Sequence, residues 1–359
     1  MPYADPINKA ERPDMATVDV TVMGAGVFGL SVAYACLLRG AKVQVIDPAG
    51  VGTGASGGII GALAPHVPEQ WNAKKAFQLD SLLMQAAFWE QVGAQSGLPT
   101  GYARNGRLQP LADAAAVDLA QTRAQGGSAL WQGQASWDVI PAPTVDWAPP
   151  SPSGQVVFDT LSALIHPRQA TLALAAAVRA LGGQIDLEGL PQGKVVWATG
   201  WAGLDDMTAK HHRLVGSGIK GQGALLDFDA RGLPQLYADT LHIIPHNDGT
   251  VAVGGTTERE FDDPFGTDAQ LEDIVARARR AVPILVNAPI IERWAGLRPR
   301  SRSRAPMLGI HPFIKDAFVA NGGFKIGFGM APKSGEVMAD LILDGRNTIP
   351  DDFMPERSL

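Results

Sequence analysis

The sequence predicts an α/β protein that carries an antiparallel β portion. Three observations predict it. Short apolar strands alternate with helices near both ends and in the middle of the chain, the pattern of a parallel sheet joined by crossovers. Residues 222–257 instead read as strand, turn and strand with no helix between, which is a hairpin pattern. The chain has 359 residues, 46% hydrophobic and 18% charged, enough to bury a sizeable core and divide into two lobes.

The elements follow in order. Asp19 to Met23 (DVTVM) is a buried-strand pattern, Phe28 to Leu38 a helix closed by Gly40, and Lys42 to Ile46 (KVQVI) a second strand. A helical rhythm runs over 77–96 through Phe77, Leu82, Leu83, Ala86 and Trp89, until Gly97 and Pro99 stop it. From 111 to 150 the chain is rich in Ala, Gln, Trp and Pro, and strand assignments there stay open. Pro167 opens a helix that runs to Leu181 and ends at Gly182-Gly183, and KVVWATG at 194–200 is an apolar strand. GALLDF, LHIIP and TVAVGGT are strands, the last two joined by HNDG. Asp268 caps a helix over Leu271, Ile274, Val275 and Ala278.

Composition excludes several classes. A net charge of -6 argues against a general nucleic-acid binder, and none is expected as a partner. The lone cysteine, Cys36, has no partner for an internal disulfide and cannot hold an iron-sulfur cluster. The seven histidines show no pair at metal-site spacing, so no metal is expected. The first 17 residues carry charge and three prolines, which suits a loose tail rather than a secretion signal. No apolar run reaches the ~18 residues of a spanning helix, so the expected compartment is the cytoplasm. The composition is compatible with a homo-oligomer.

GAGVFG, with Gly24, Gly26 and Gly29, sits between the first strand and the first helix. The first glycine permits the tight turn, the second lets a pyrophosphate approach the backbone, and the third packs helix on sheet. Ala25, Val27 and Phe28 complete the loop and present helix amides to phosphate. Asp47 ends the second strand, where an acid can take ribose hydroxyls. The pattern points to a dinucleotide, either a nicotinamide or a flavin.

Three further segments favour the flavin. GVGTGASGGIIGALAP at 50–65 is a run of small residues, with Ala55, Ser56 and Ala64, that suits backbone packed against a large flat ring. The strand VVWATG ends at Gly200, on the carboxyl edge where ligands of such sheets lie. NGGFKIGFGMAPKSGEVMADLI at 321–342 ends as a helix with Pro332 near its first turn. That puts a positive helix end, with Gly327, Gly329, Met330, Ala331 and Lys333, where the pyrimidine side of a reduced flavin becomes negative.

These pieces, with GYARNGRLQPLAD, IIPHNDGTVAVGGTTE and WAGLRP, resemble the D-amino-acid oxidase family of FAD enzymes, in pattern its glycine oxidase and sarcosine oxidase-like branch. The resemblance spans roughly residues 18–344. It implies a Rossmann-like FAD-binding domain assembled from separated segments, 17–85, 155–215 and 305–345, with an inserted antiparallel-sheet substrate domain, 86–154 and 216–304, between tails at 1–16 and 346–359. It also implies oxidation of an amine that carries a carboxylate, glycine, sarcosine or a D-amino acid, by hydride transfer to the flavin. The imine then hydrolyses, and O2 or another acceptor takes the electrons. Relatives linked to flavin through a C-terminal cysteine have no counterpart here, so FAD is expected to be non-covalent.

Arg298 in GLRP matches the family's carboxylate anchor, and a bidentate guanidinium pair would set orientation as well as binding. Arg300, Arg302 and Arg304 follow at alternate positions in RPRSRSR and are expected to be turn residues, unless the substrate carries a second negative group. His242 is either a pocket residue or a satisfied sheet histidine. His66 is expected off the flavin, and Trp201 and Trp294 are expected to be packing. Two rival readings stay open: a dehydrogenase of the same family that passes electrons to a quinone or protein, and a tRNA-modifying flavin module or accessory flavoprotein subunit. An NAD-dependent dehydrogenase leaves the two extra small-residue segments unexplained.

Overall fold

The computed structural model describes residues 18–359, so the expected loose tail at 1–16 lies outside the described residues. In chain order the elements are β1 (Val20–Met23), α1 (Val27–Leu38), β2 (Val43–Ile46), β3 (Ala62–Leu63), α2 (Ala73–Ser96), β4 (Arg107–Pro110), α3 (Ala114–Leu130), β5 (Trp137–Pro141), β6 (Gln155–Asp159), β7 (Ala163–Leu164), α4 (Pro167–Ala180) and β8 (Gln184–Asp186). They continue with β9 (Lys194–Trp197), α5 (Gly200–His211), β10 (Gly216–Asp227), β11 (Gln235–Ala238), β12 (Leu241–Pro245), β13 (Thr250–Gly254), α6 (Ala269–Ala281), β14 (Ile290–Ser301), β15 (Met307–Ile310), β16 (Ala317–Asn321) and α7 (Gly327–Ala339).

Two large sheets carry the fold. The first has six strands in the order β15-β16-β9-β1-β2-β8, parallel except for the β15–β16 pair. β1, α1 and β2 make its opening crossover, and every residue of β2 is buried, as a strand covered on both faces must be. The second has eight strands in the order β14-β10-β13-β12-β11-β4-β6-β5 and is antiparallel apart from the β11–β4 contact. Its hairpin β12–β13 turns at HNDG, where Gly249 takes a φ of +89°.

One core lies between the parallel sheet and α1, α2, α4 and α7, with Tyr34 edge-on to Phe88 at 5.6 Å. A second lies under α6, whose Leu271, Ile274, Val275 and Ala278 pack on the antiparallel sheet. β6, expected with the parallel layer, instead pairs with β4 and β5. Its adjacent Val156 and Val157 point to opposite faces and enter the second and first cores respectively.

Two other expectations change. The Ala-rich stretch conceals α3, capped by Asp113, whose side chain accepts from Ala116 N at 2.8 Å. Only Val117, Ala120 and Gly127 of that helix are buried, too thin an apolar stripe to stand out in sequence. The segment 346–359, expected as a tail, packs into the first core. Phe353 is fully buried and meets Phe77 edge-on at 4.9 Å.

Candidate functional site

The carboxyl ends of β1 and β9 face the antiparallel sheet across a cavity of about 770 Å³, lined from both sides. Three helices begin at it: α1 at the glycine loop, α5 at Gly200 and α7 at Gly327. None of these three is capped by the side chain of its own N-cap residue. The other four α-helices are all capped by side chains, Asn72, Asp113, His166 and Asp268. Uncapped helix ends leave amide donors and a positive partial charge, so three of them at one cavity suit a ligand rich in acceptors and negative charge.

The glycine loop is shaped from within. Gly24 has a φ of +112°, and a Cβ there would lie 2.4 Å from the carbonyl oxygen of Ala198. A Cβ at Gly29 would lie 2.0 Å from Gly24 O, which is why helix and strand can pack so closely only with glycine. Ala25 N donates to Asp47 Oδ2 at 2.8 Å and Val27 N to Ser56 Oγ at 2.9 Å, while Asp47 Oδ1 accepts from Ala49 N at 3.0 Å. Asp47 and Ser56 therefore brace the loop as well as face the cavity.

Of the residues expected at the site, Gly24, Gly26, Val27, Phe28, Asp47, Ala55, Ser56, Ala64, Gly200, Gly327, His242 and Arg298 line this cavity. Ala25, Gly29, Gly329, Met330, Ala331 and Lys333 do not. The last four are displaced for one reason. Helix α7 begins at Gly327, so Pro332 stands inside it rather than in its first turn. Proline removes the donor for the carbonyl four residues back. That carbonyl, Phe328 O, accepts instead from Gln85 Nε2 at 3.0 Å. Met330 and Ala331 are fully buried, and Lys333 Nζ lies 3.7 Å from Glu336. The lysine at the positive helix end is Lys325, which sequence reading passed over although it lies in the same GGFKIGFG segment.

Arg298 lies on β14 opposite Ile219 of β10. Its guanidinium lies across Gly221, where a Cβ would come within 2.5 Å of Cζ. Nη2 donates to Lys220 O at 3.2 Å and to Thr256 O, while Nε is buried without a partner. Desolvation lowers its pKa to about 10, against the opposing pull of Glu258. Burial, then the charges of Arg298 and Arg300, bring Lys325 down to about 8. Arg298, Arg300 and Lys325 surround the Phe324 ring, with charged atoms 5.4, 5.5 and 5.9 Å from its centroid. Among the described residues none of these three cations has a carboxylate within ion-pair distance. Arg302 turns away and donates to Leu359 O at 3.0 Å, and Arg304, at a φ of +61°, receives Lys74 Nζ on its carbonyl at 2.5 Å.

His242 sits on β12 with its ring 5.0 Å from that of Tyr237 and with Nδ1 unpartnered. It lines the cavity, and desolvation lowers its pKa to about 3. His66, expected off the flavin, lines the cavity and is held by Gln78, which also bonds Ala64 O at 3.2 Å. Trp201 and Trp294, expected as packing, line it as well.

A crossover sheet with a glycine loop, coupled across a cavity to an antiparallel sheet, is the architecture of a dinucleotide-dependent enzyme. The family described as FAD dependent oxidoreductase, DAO, matches residues 19–341. The chain belongs to that family, and FAD is its cofactor.

Among curated relatives, the bifunctional protein ThiO/ThiG of Nostoc sp. is 26% identical over 92% of this chain and 53% of its own length. The chain thus spans about half the length of the bifunctional relatives it matches. The glycine oxidase of Geobacillus kaustophilus is 22% identical over 90% of this chain and 92% of its own. Its crystal structure superposes with a TM-score of 0.80, covering 95% of this chain and 99% of that one at 19% identity. Iminodiacetate oxidase from Chelativorans sp. gives 0.81 over 94% and 98%, also at 19% identity. These likenesses agree in fold, a parallel layer joined to an antiparallel one.

The residues present fit FAD. The start of α1 can receive its diphosphate, Asp47 keeps acceptor capacity for hydroxyls, and at glycines 58, 61 and 254 the cavity wall is backbone without side chain, as a flat ring system needs. Cys36 is buried in α1 away from the cavity, with its pKa pushed up to about 12, so the cavity offers no thiolate for a covalent link.

Proposed function

We propose that this chain oxidises an amine whose carbon also carries a carboxylate, such as glycine, sarcosine or a D-amino acid, with non-covalent FAD and with O2 as final acceptor. The observation that carries the reading is Arg298, a buried cation at the cavity with no carboxylate of its own. A guanidinium in that state gains most from a planar, bidentate anion.

FAD, when bound, supplies the acceptor for the hydride that leaves the amine-bearing carbon. Arg298 would hold the carboxylate and so fix which hydrogen of that carbon faces the acceptor. His242, neutral at physiological pH, can accept a hydrogen bond from the amine but is too weak a base to retain its proton. It orients rather than deprotonates. Trp294, Leu297 and Ile60 wall the cavity and limit water around the reacting carbon. The imine product then hydrolyses to glyoxylate or a 2-oxo acid.

A second reading refines the substrate. Lys325 and Arg300 beside Arg298 suit an amine with two carboxylates, and iminodiacetate is such a compound.

The test begins with the visible spectrum of the purified protein. It should be yellow, acid precipitation should release FAD, and anaerobic addition of glycine, sarcosine, D-amino acids or iminodiacetate should bleach it with at least one. In air that substrate should yield one hydrogen peroxide per oxygen consumed. A colourless protein that takes up NAD, or a flavoprotein that none of the panel bleaches, overturns the reading. Bleaching without peroxide would transfer the electrons to another acceptor.

A further inference from the structure

Outside the cavity, the start of α4 meets the turn of the β12–β13 hairpin, and three ligand-bearing side chains converge there. His166, His246 and Asp248 each bring an imidazole nitrogen or carboxylate oxygen within 4.8 Å of the other two. His166 Nε2 lies 3.5 Å from Asp248 Oδ2, and the two imidazole centroids are 4.5 Å apart. A four-coordinate cation with bonds of roughly 2.0–2.1 Å spaces its ligand atoms about 3.3 Å apart. The His166–Asp248 distance is already close to one edge of such a shell.

His246 is fully buried, and its Nε2 has no hydrogen-bond partner. Its tautomer follows from its neighbours. Thr250 Oγ1 donates to Asp248 Oδ1 at 2.7 Å, so towards His246 Nδ1, 3.2 Å away, that oxygen can only accept. The ring proton is therefore on Nδ1, and Nε2 is left as a buried lone pair with nothing to bind. Leaving such an acceptor unpaired in the interior is unfavourable, and a cation would remove the penalty.

The cation beside the cluster is already neutralised. Arg168, next to His166, is already paired with Glu292 through two bonds, at 2.8 and 2.5 Å. His166 Nδ1 accepts from Gln169 N at 3.5 Å, a long contact that ligation through Nε2 would give up by moving the ring proton to Nδ1. Asp248 also accepts from Gln169 Nε2 at 3.0 Å, which orients its carboxylate as outer-shell partners of metal ligands do.

We propose that His166, His246 and Asp248 bind one divalent cation of the zinc, cobalt or nickel class and so clamp the hairpin turn to the start of α4. Two imidazoles with one carboxylate select borderline first-row metals over calcium or magnesium. Asp248 is exposed, so a fourth position is open to water. Sequence reading expects no metal because the two histidines are distant in the chain and only the fold brings them together. The clamp would join an element of the parallel layer to one of the antiparallel sheet.

The experiment uses the flavin-loaded protein without a histidine tag, stripped with chelator and desalted. Equilibrium dialysis against Zn²⁺ should give one equivalent bound, Co²⁺ should give the visible bands of a low-coordinate nitrogen and oxygen site, and Zn²⁺ should raise Tm. His246→Ala and Asp248→Asn should each weaken Zn²⁺ binding at least tenfold and abolish the Tm shift, with the flavin spectrum unchanged. If His246→Ala does not fold, exposed Asp248→Asn decides alone. Wild-type protein that retains no stoichiometric Zn²⁺, or variants that bind it as wild type does, would overturn the proposal.

Discussion

At the scale of single residues, Arg298 is the group on which substrate binding should depend most. Arg298→Ala should raise KM by the equivalent of roughly 2 to 5 kcal/mol, the usual loss when one member of a buried charge pair is removed. Arg298→Lys should recover only part, because a lysine cannot form the planar fork. A neighbouring substitution separates position from charge. Gly221→Ala would put a Cβ within 2.5 Å of the guanidinium carbon, so the anchor must move, and kcat/KM should fall roughly 10- to 100-fold with Arg298 intact. Steady-state kinetics on the best substrate check all three, and wild-type values in Gly221→Ala would show that the anchor lies elsewhere. Lys325 adds a pH signature. With a pKa of about 8 in the free enzyme, its charge is present below pH 8 and lost above it. KM for iminodiacetate, relative to glycine, should therefore rise as pH passes 8, and Lys325→Gln should flatten that ratio. Of the four alternating arginines, GLRP singles out Arg298, which lines the cavity. Arg302 and Arg304 lie in a turn as expected, whereas Arg300, expected there too, stays on β14, because the strand runs on through Pro299 to Ser301.

At the scale of elements, α1 and α4 were legible nearly to the residue, because glycine and proline signals bound them and apolar residues fill them. Helix α7 was not. Proline inside a helix is an unfavourable reading from local sequence, and the residue that permits it, Gln85, lies on α2, far away in the chain. Gln85 is fully buried, donates to Phe328 O and accepts from Trp89 Nε1 at 2.6 Å. Gln85→Leu should therefore leave two buried groups unpaired at roughly 1 to 3 kcal/mol each. Chemical denaturation should register that loss. Because Phe328 also lines the cavity, FAD retention should weaken with it. Adding Pro332→Ala restores an N–H for Phe328 O, so the double variant should regain part of the loss. If it regains nothing, Gln85 acts through packing alone.

At the scale of the whole molecule, the sequence made the two kinds of sheet legible but not their closure into one site. Glycine loop, second small-residue run and last helix each announce themselves locally. Their convergence with Arg298 and His242 depends on pairings across long chain separations, and so does the meeting of His166 with His246. Folding also determines how the molecule as a whole responds to acid. His242 is held at about 3 and His246 and His311 at about 4, while burial lowers His66 and His166 as well. The unfolded chain takes up these protons near pH 6.5, whereas the folded one resists those of His242, His246 and His311 until about pH 4 or below. Between those limits the unfolded state binds more protons, so stability must fall as pH drops from 6.5 towards 4. Each fully shifted histidine can contribute up to about 1.4 kcal/mol per pH unit to that slope. His311 gives the cleanest test. It is buried outside the cavity, and its Nδ1 accepts from both Phe313 N and Ile314 N at 3.1 Å, which fixes that nitrogen as unprotonated. Thermal melts of metal-free protein at constant FAD should show Tm falling steadily from pH 6.5 to 4.5. His311→Gln should lower Tm at neutral pH but make the acid slope shallower, because one titrating group has gone. An unchanged slope in that variant would mean that His311 titrates alike in the folded and unfolded chains.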